Sequence, residues 1–242
     1  MSSPPTWESV LLLEISDLNV TYGGAVALSG VSCSIDRGEA VGLVGSNGAG
    51  KTTLLKAVSR VVPSTGAISF DGRDVSSLQA HQVPRLGIAH VPEGRRLFPR
   101  LSVEDNLMLG CSATHVVDDD DYERVYSLFP RLKERRAQLA GTLSGGEQQM
   151  AAIARGIMSK PKLLMLDEPS LGMAPVLVES IYEAILSLRE AGQTIFLAEQ
   201  NVMECLEVCN RTYVIQTGQV VASGESSELA ESDLIRRAFL GI

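Results

Sequence analysis

The chain has 242 residues, of which 45% are hydrophobic and 21% are charged. These values suit one folded α/β domain with a substantial core. The formal net charge of −8 argues against nucleic acid or anionic lipid as the main partner. No apolar run reaches the roughly 18 residues that span a bilayer. Residues 1–10 lack the basic and apolar regions of a secretory signal, so we expect a polar N-terminal tail and a cytoplasmic protein.

In chain order, the hydrophobic pattern predicts an α/β core that a helical segment interrupts. The first half should contain strands at 13–20, 40–45, 67–70 and 86–91, with a helix at 51–58. Helical periodicity dominates residues 102–160. After Pro161 the pattern predicts strands at 163–166 and 194–198, a helix at 176–190, and a hairpin of 212–215 with 219–222.

Two groups of possible metal ligands have simpler interpretations. The acidic run Asp118–Asp121 is typical of a helix start, because carboxylates favour a helix N-terminus; a metal role is the alternative. The four cysteines, Cys33, Cys111, Cys205 and Cys209, are typical of buried thiols. Cys205 and Cys209 could share a helix face and bind a metal, but no histidine follows His115 and no second cysteine pair exists.

A glycine-rich segment after the strand at 40–45 matches the phosphate-binding pattern G-x-x-x-x-G-K-[ST]. Its glycines allow the backbone to wrap phosphates, and the following helix adds the partial positive charge of its N-terminus. Lys51 should reach the β- and γ-phosphates, and Thr52 should ligate Mg²⁺. We expect this segment to bind a nucleoside triphosphate through Gly45, Ser46, Asn47, Gly48, Ala49, Gly50, Lys51, Thr52 and Thr53.

Two carboxylates, Asp167 and Glu168, end the apolar strand at 163–166. Ligands in parallel sheets bind at the carboxyl ends of strands. Asp167 is therefore expected to hold Mg²⁺, and Glu168 to orient and deprotonate the attacking water. The alternative is a pair of acids in a strand-to-turn connection that Pro169 favours. The presence of the phosphate-binding segment in the same chain favours the catalytic interpretation.

The segment Leu143–Gln149 has the capping-box spacing between Ser144 and Glu147, which predicts a helix start. Its two glycines, Gly145 and Gly146, are unfavourable in the first turn of a helix. Their presence is explained if another group must approach the backbone closely. A helix N-terminus with small residues is a site for anions. We therefore expect Ser144, Gly145, Gly146 and Glu147 to contact phosphate.

These three ordered motifs together resemble the ATP-binding cassette (ABC) ATPase family, over about residues 13–242. The resemblance implies a P-loop NTPase (RecA-like) α/β core at 12–93 and 161–242, with an antiparallel β subdomain and an inserted helical subdomain at 94–160. It also implies two cassettes, head to tail, that enclose two ATP molecules, the signature segment of one closing over the γ-phosphate held by the other. Tyr22 stands where the family stacks an aromatic ring on adenine; a half-buried strand tyrosine is the alternative.

The chain departs from the usual family pattern at two site positions. Glu93 stands where a glutamine contacts Mg²⁺ or the water, and a carboxylate there also suits Mg²⁺. Gln200 stands where a histidine senses the γ-phosphate; glutamine can donate a hydrogen bond but cannot become a cation. The loop 170–174 also lacks the usual aspartate. Hydrolysis in this chain's own pocket is therefore expected to be slower than in a standard site.

With these departures, residues 91–107, 143–150, 166–175 and 196–201, and the terminal Ala238–Gly241, are similar to the second ATP-binding subunit of bacterial branched-chain amino acid importers, the LivF type. That similarity implies a second cassette, LivG-like or identical, two integral permease subunits and an external substrate-binding protein. It places the chain on the inner face of the cell membrane. Urea or amide import, lipopolysaccharide export, ATPases outside transport and a nucleotide-sensing module with little catalysis are the alternatives.

Overall fold

The computed structural model describes residues 11–111 and 115–232. Predictions for residues 1–10 and for the terminal segment that includes 238–241 lie outside this part. The described part contains ten strands: β1 (Leu11–Tyr22), β2 (Ala25–Asp36), β3 (Ala40–Val44), β4 (Thr65–Phe70), β5 (Arg73–Asp74), β6 (Ile88–Val91), β7 (Leu163–Asp167), β8 (Thr194–Glu199), β9 (Arg211–Gln216) and β10 (Gln219–Glu225).

Eight α-helices accompany these strands in the described residues: α1 (Lys51–Val58), α2 (Val103–Cys111), α3 (Asp119–Leu128), α4 (Pro130–Glu134), α5 (Gly145–Met158), α6 (Pro175–Glu190), α7 (Val202–Val208) and α8 (Ser226–Glu231). Two short 3₁₀ helices lie at Ala80–Leu86 and Ala140–Thr142. No helix within 11–111 and 115–232 is both long enough and apolar enough to cross a membrane.

The main sheet has six strands in the order β10-β9-β3-β8-β7-β6. Strands β9, β3, β8, β7 and β6 run parallel, and β10 closes the edge as an antiparallel hairpin with β9. Every residue of β3, β7 and β8 is buried, as expected for central strands covered on both faces. Consequently the loops that follow β3, β8, β7 and β6 all lie along one edge of the sheet.

A second sheet, in the order β2-β1-β4-β5, is antiparallel. Its strands β1 and β2 are twelve residues each and carry alternating buried side chains. These side chains belong to the same apolar cluster as α1 and one face of β3, β7 and β8. The antiparallel β segment implied by the family resemblance is therefore present and packs on the α1 side of the main sheet.

Helices α2 to α5 lie between β6 and β7 in the chain, where the sequence predicted a helical segment. Their buried residues, such as Leu107, Val125 and Ile153, join one cluster with Leu164 of β7 and Ile185 of α6. The inserted helices therefore share a core with the main sheet. We retain the division into 12–93 with 161–242 and an insertion at 94–160 as a proposal.

Most predicted elements are confirmed, within one to three residues at their ends. The helix at Lys51–Val58 and the hairpin through Thr217 and Gly218 occur as predicted. Asp118 is the N-cap of α3 and accepts a hydrogen bond from the backbone N–H of Asp121, which confirms the helix-start interpretation of the acidic run. The helix expected to carry Cys205 occurs as α7, with Cys209 as its C-cap residue. The sequence pattern did not predict β2, β5 or α8.

Candidate functional site

The P-loop, residues 45–52, connects β3 to α1, and its backbone packs closely against β9. Gly50 caps α1 in a left-handed conformation with φ 113°, which a residue with a side chain rarely adopts. A Cβ atom at Gly45 would come within 2.4 Å of the carbonyl oxygen of Ile215 in β9. The spacing of glycines thus satisfies both the turn and its packing against the sheet.

Lys51, the first residue of α1, is 3% exposed. Its Nζ donates to the carbonyl oxygens of Gly45 at 2.7 Å and Ser46 at 3.1 Å. The same Nζ lies 3.1 Å from Oε1 of Glu168. The amine predicted to bind phosphate therefore lies inside the loop and beside the predicted catalytic acid.

The hydroxyl of Thr52 donates to Oδ1 of Asp167 at 3.0 Å, joining α1 to the end of β7. The second oxygen of Asp167 is buried and has no hydrogen-bond partner among the described residues. Burial raises the pKa of Asp167; the Thr52 hydrogen bond opposes the rise, and the negative charges of Glu168 and Glu93 add to it. An unsatisfied buried carboxylate oxygen beside a hydroxyl fits Mg²⁺, which prefers oxygen ligands.

Glu168 has a strained backbone. Its φ is 47°, in the left-handed region that costs a residue with a side chain about 1–2 kcal/mol. Its N–H donates to the carbonyl oxygen of Ala198 in β8 at 2.8 Å, and its own carbonyl oxygen accepts from the N–H of Leu171 at 3.2 Å. The loop after β7 is thus fixed to β8, and strain of this kind is common at functional residues.

Glu93 and Gln200 follow β6 and β8, so both lie at the edge of the sheet that carries the P-loop and Asp167. Both residues are exposed. Glu93 also lines, with Glu168 and Gln148, a cavity of about 530 Å³. The expected partner of Glu93 is Mg²⁺, and that of Gln200 is the γ-phosphate.

The signature segment, Leu143–Gln149, contains the start of α5, as predicted. Ser144 accepts from the N–H of Glu147 at 3.3 Å, and Glu147 Oε2 accepts from the N–H of Ser144 at 2.9 Å. A Cβ atom at Gly146 would lie 2.3 Å from Cδ1 of Leu177 in α6, and one at Gly145 would lie 2.9 Å from Nη2 of Arg95. Both glycines therefore have a packing reason within the chain, in addition to any phosphate contact.

Tyr22 ends β1 and its side chain is 45% exposed. An exposed aromatic face can stack on a base. A strand tyrosine of this exposure fits the half-buried alternative as well, so adenine stacking by Tyr22 stays a prediction.

Sequence reasoning missed Glu199, the last residue of β8. It is 2% exposed, and it accepts hydrogen bonds from the N–H groups of Ser170 and Gln200. Burial raises the pKa of Glu199, and hydrogen bonds from Ser170, Tyr182 and Gln200 oppose the rise. A charged residue that directly continues the buried apolar run 195–198 was the available signal, because carboxylates are almost never fully buried without partners.

Two further groups of possible metal ligands lie outside the site formed by the P-loop and the acids after β7. Within the described residues, ligand atoms of Cys111, His115 and Asp121 approach one another within 4.8 Å. Asp121 already pairs with His115 at 2.7 Å and with Nζ of Lys160 at 2.7 Å. All four cysteines are buried, as the sequence predicted, and Cys205 Sγ lies 3.9 Å from Cys209 Sγ.

Residues 28–171 match the family model described as ABC transporter. The chain is 46% identical to the high-affinity branched-chain amino acid transport ATP-binding protein BraG of Pseudomonas aeruginosa, over 95% of this chain and 100% of that protein. It is 36% identical to the lipopolysaccharide export system ATP-binding protein LptB of Escherichia coli, over 95% of this chain and 97% of that protein.

Its fold matches the solved ADP conformation of an ATP-binding cassette of an ABC transporter, with a TM-score of 0.82 and 24% identity over 97% of this chain and 100% of that one. The matched family segment contains the P-loop, the signature segment and the acids at the end of β7. The chain therefore belongs to the ABC transporter family, as one of its ATP-binding cassette ATPases.

Proposed function

We propose that this chain binds ATP with Mg²⁺ and hydrolyses it to energise a bacterial importer of branched-chain amino acids. The observation that carries the catalytic part is the meeting of the P-loop with the acids at the end of β7, at one edge of the sheet. Thr52 bonds Asp167, and Lys51 lies 3.1 Å from Glu168, although the two halves of the site are more than a hundred residues apart in the chain. The 46% identity to BraG supports the cargo.

The roles of the residues follow from their positions. Backbone N–H groups of 45–53 and the amine of Lys51 bind the phosphates. Thr52 and Asp167, with Glu93, hold Mg²⁺, which would neutralise charge on the phosphates when bound. Glu168 orients and deprotonates the attacking water, and Gln200 hydrogen-bonds the γ-phosphate. Tyr22 stacks on adenine.

The signature residues Ser144, Gly145, Gly146 and Glu147 act on ATP bound to a second cassette. Ser144 is exposed at the N-terminus of α5, so this helix end can meet an anion from another molecule. Two cassettes close because phosphate contacts both surfaces only in the closed state, which shifts the population toward closure. The second cassette is a LivG-like subunit or a second copy of this chain.

The helices between 94 and 160 pass the motion to integral permease subunits, with a substrate-binding protein on the far side of the membrane. The chain then sits on the cytoplasmic face as a peripheral subunit. Exposed apolar side chains on this segment, Phe98 at 54% and Met108 at 44%, suit contact with another protein.

The test is uptake of labelled leucine, isoleucine and valine by cells that lack the chain. Wild-type chain should restore uptake, and Glu168→Gln should not, since an amide cannot take a proton from water. Purified Glu168→Gln should still bind ATP but hydrolyse it at least about 100-fold more slowly. Hydrolysis by Glu168→Gln at the wild-type rate would refute the role of Glu168.

Lipopolysaccharide export is the second candidate, because the chain is also 36% identical to LptB over nearly its full length. The same cells separate the two functions. If amino acid uptake is normal without the chain but lipopolysaccharide fails to reach the cell surface, export is the function and the importer proposal is wrong.

A further inference from the structure

Glu199 lies between the loop that carries Glu168 and the loop that carries Gln200. Its carboxylate bonds backbone N–H groups of these loops and not the side chains of Glu168 or Gln200. It is the last residue of β8, the strand between β3, which leads into the P-loop, and β7, which ends at Asp167. The side chain is 2% exposed. A carboxylate in such a position requires hydrogen-bond partners, since an unpaired buried charge is strongly unfavourable.

The two carboxylate oxygens serve two different loops. One, Oε1, accepts from the backbone N–H of Ser170 at 3.2 Å, in the loop after β7. The other, Oε2, accepts from the backbone N–H of Gln200 at 3.1 Å, in the loop after β8. The side chain is therefore a two-point connection between the loop of the predicted catalytic acid and the loop of the predicted γ-phosphate sensor.

This connection continues to Glu168. Ser170 is two residues beyond Glu168, whose carbonyl oxygen accepts from the N–H of Leu171 at 3.2 Å and whose N–H donates to Ala198 at 2.8 Å. Glu168 is held at a φ of 47°, which the surrounding structure has to maintain. Glu199 fixes the segment that follows this strained residue.

We propose that Glu199 is a positioning residue for ATP hydrolysis, whose carboxylate holds the loops of Glu168 and Gln200 at a fixed distance from each other. The inference rests on the proposed function, because it assumes that Glu168 and Gln200 act on ATP. The rate of hydrolysis is sensitive to this distance, because a displacement of about 1 Å at a reacting group can reduce a rate by about 100-fold.

The carboxylate is required because it offers two acceptor oxygens and no donor. Glutamine has the same shape but one acceptor oxygen, and its NH₂ group would face an N–H donor. Glu199→Gln therefore releases one of the two loops with little change in volume. We expect its kcat to fall about 10- to 100-fold, while KM for ATP stays within about twofold, because the P-loop is unchanged.

Asp121→Asn is the matched control. Asp121 is also a fully buried acid that bonds a loop N–H, that of Asp118, but it lies in the inserted helices away from the P-loop. Both variants and wild type are assayed for ATP hydrolysis in the assembled transporter, with ATP affinity of the purified chain by calorimetry as the check on folding. Asp121→Asn should lower the melting temperature and keep the wild-type kcat.

Amide hydrogen exchange supplies a readout independent of turnover. In Glu199→Gln, exchange at the N–H of Ser170 or Gln200 should accelerate relative to wild type, whereas Asp121→Asn should leave both unchanged. If wild type hydrolyses ATP and Glu199→Gln has the same kcat, the inference is wrong and the proposed function stands. If the assembled transporter with wild-type chain binds ATP but never hydrolyses it, both are wrong.

Discussion

Four acidic side chains, Glu93, Asp167, Glu168 and Glu199, lie along one edge of the parallel sheet, and the amine of Lys51 lies 3.1 Å from Glu168. The pKa values of Asp167 and Glu199 are raised chiefly by burial. A divalent cation is the natural complement to such a concentration of carboxylates. The sequence motif predicted Asp167 and Glu168, and the family resemblance implied a role for Glu93. Neither predicted Glu199, because its role depends on two backbone N–H groups that only the folded loops bring to it.

A substitution of Gln200 tests the hypothesis that this chain's own pocket hydrolyses ATP more slowly than a standard site. Gln200→His introduces a group that can carry a proton and a positive charge near the γ-phosphate. We expect turnover to rise about twofold or more when ATPase activity is measured with the assembled transporter. Unchanged or lower turnover would mean that glutamine does not limit this site.

Asp121 provides a prediction about stability and pH. Burial raises its pKa, but hydrogen bonds from Lys160 and His115 outweigh burial and lower the pKa to about 2. Because the folded pKa lies below that of the unfolded chain, the charged form stabilises the fold above pH 4, and this contribution is lost as the pH falls toward 2.

The measurement is the melting temperature of wild type and Asp121→Asn between pH 7 and pH 2. The difference between the two proteins should be constant above about pH 4 and shrink at lower pH. A difference that grows on acidification would show that Asp121 is not stabilised in its charged form.

Among the elements, those with strong periodicity were predictable and those defined by pairing were not. The strands β7 and β8 are short, almost continuous apolar runs, and α1 has a helical pattern directly after the P-loop. Strand β2 was missed because its pattern contains Gly30 and small polar residues, and β1 supplies its register. Helix α7 was expected around Cys205 and Cys209 but without bounds, because seven residues give too short a periodic signal.

Close packing of α2 against α5 predicts the effect of one substitution. A Cβ atom at Gly110 in α2 would lie 2.1 Å from the backbone carbonyl oxygen of Arg155 in α5, which cannot move aside as a side chain can. Gly110→Ala should destabilise the chain by about 1–3 kcal/mol, although alanine favours helix by itself.

Chemical denaturation measures this free energy of unfolding. Met108→Ala, on the same helix and 44% exposed, is the control and should change stability by less than about 0.5 kcal/mol. A Gly110→Ala protein as stable as wild type would show that α2 and α5 can separate without loss.

At the scale of the whole molecule, the sheet order brings residues that are far apart in sequence to one edge. Adjacent positions of β3, β8, β7 and β6 follow from parallel pairing, which local patterns do not encode. The resemblance to the ABC family supplied this arrangement in advance. The packing of Gly145 and Gly146 against Arg95 and Leu177 was not predictable, because it depends on how the inserted helices cross α6 and the loop after β6.

The central claim is that the loop around Lys51 and the acid at 167 form one site for ATP and Mg²⁺. Calorimetry of ATP binding, with and without Mg²⁺, tests it on wild type, Lys51→Ala and Asp167→Asn. We predict that Mg²⁺ strengthens binding to wild type, that Asp167→Asn loses most of this gain, and that Lys51→Ala binds at least about tenfold more weakly. Equal ATP affinity in all three proteins, or no heat of binding in wild type, would contradict the account.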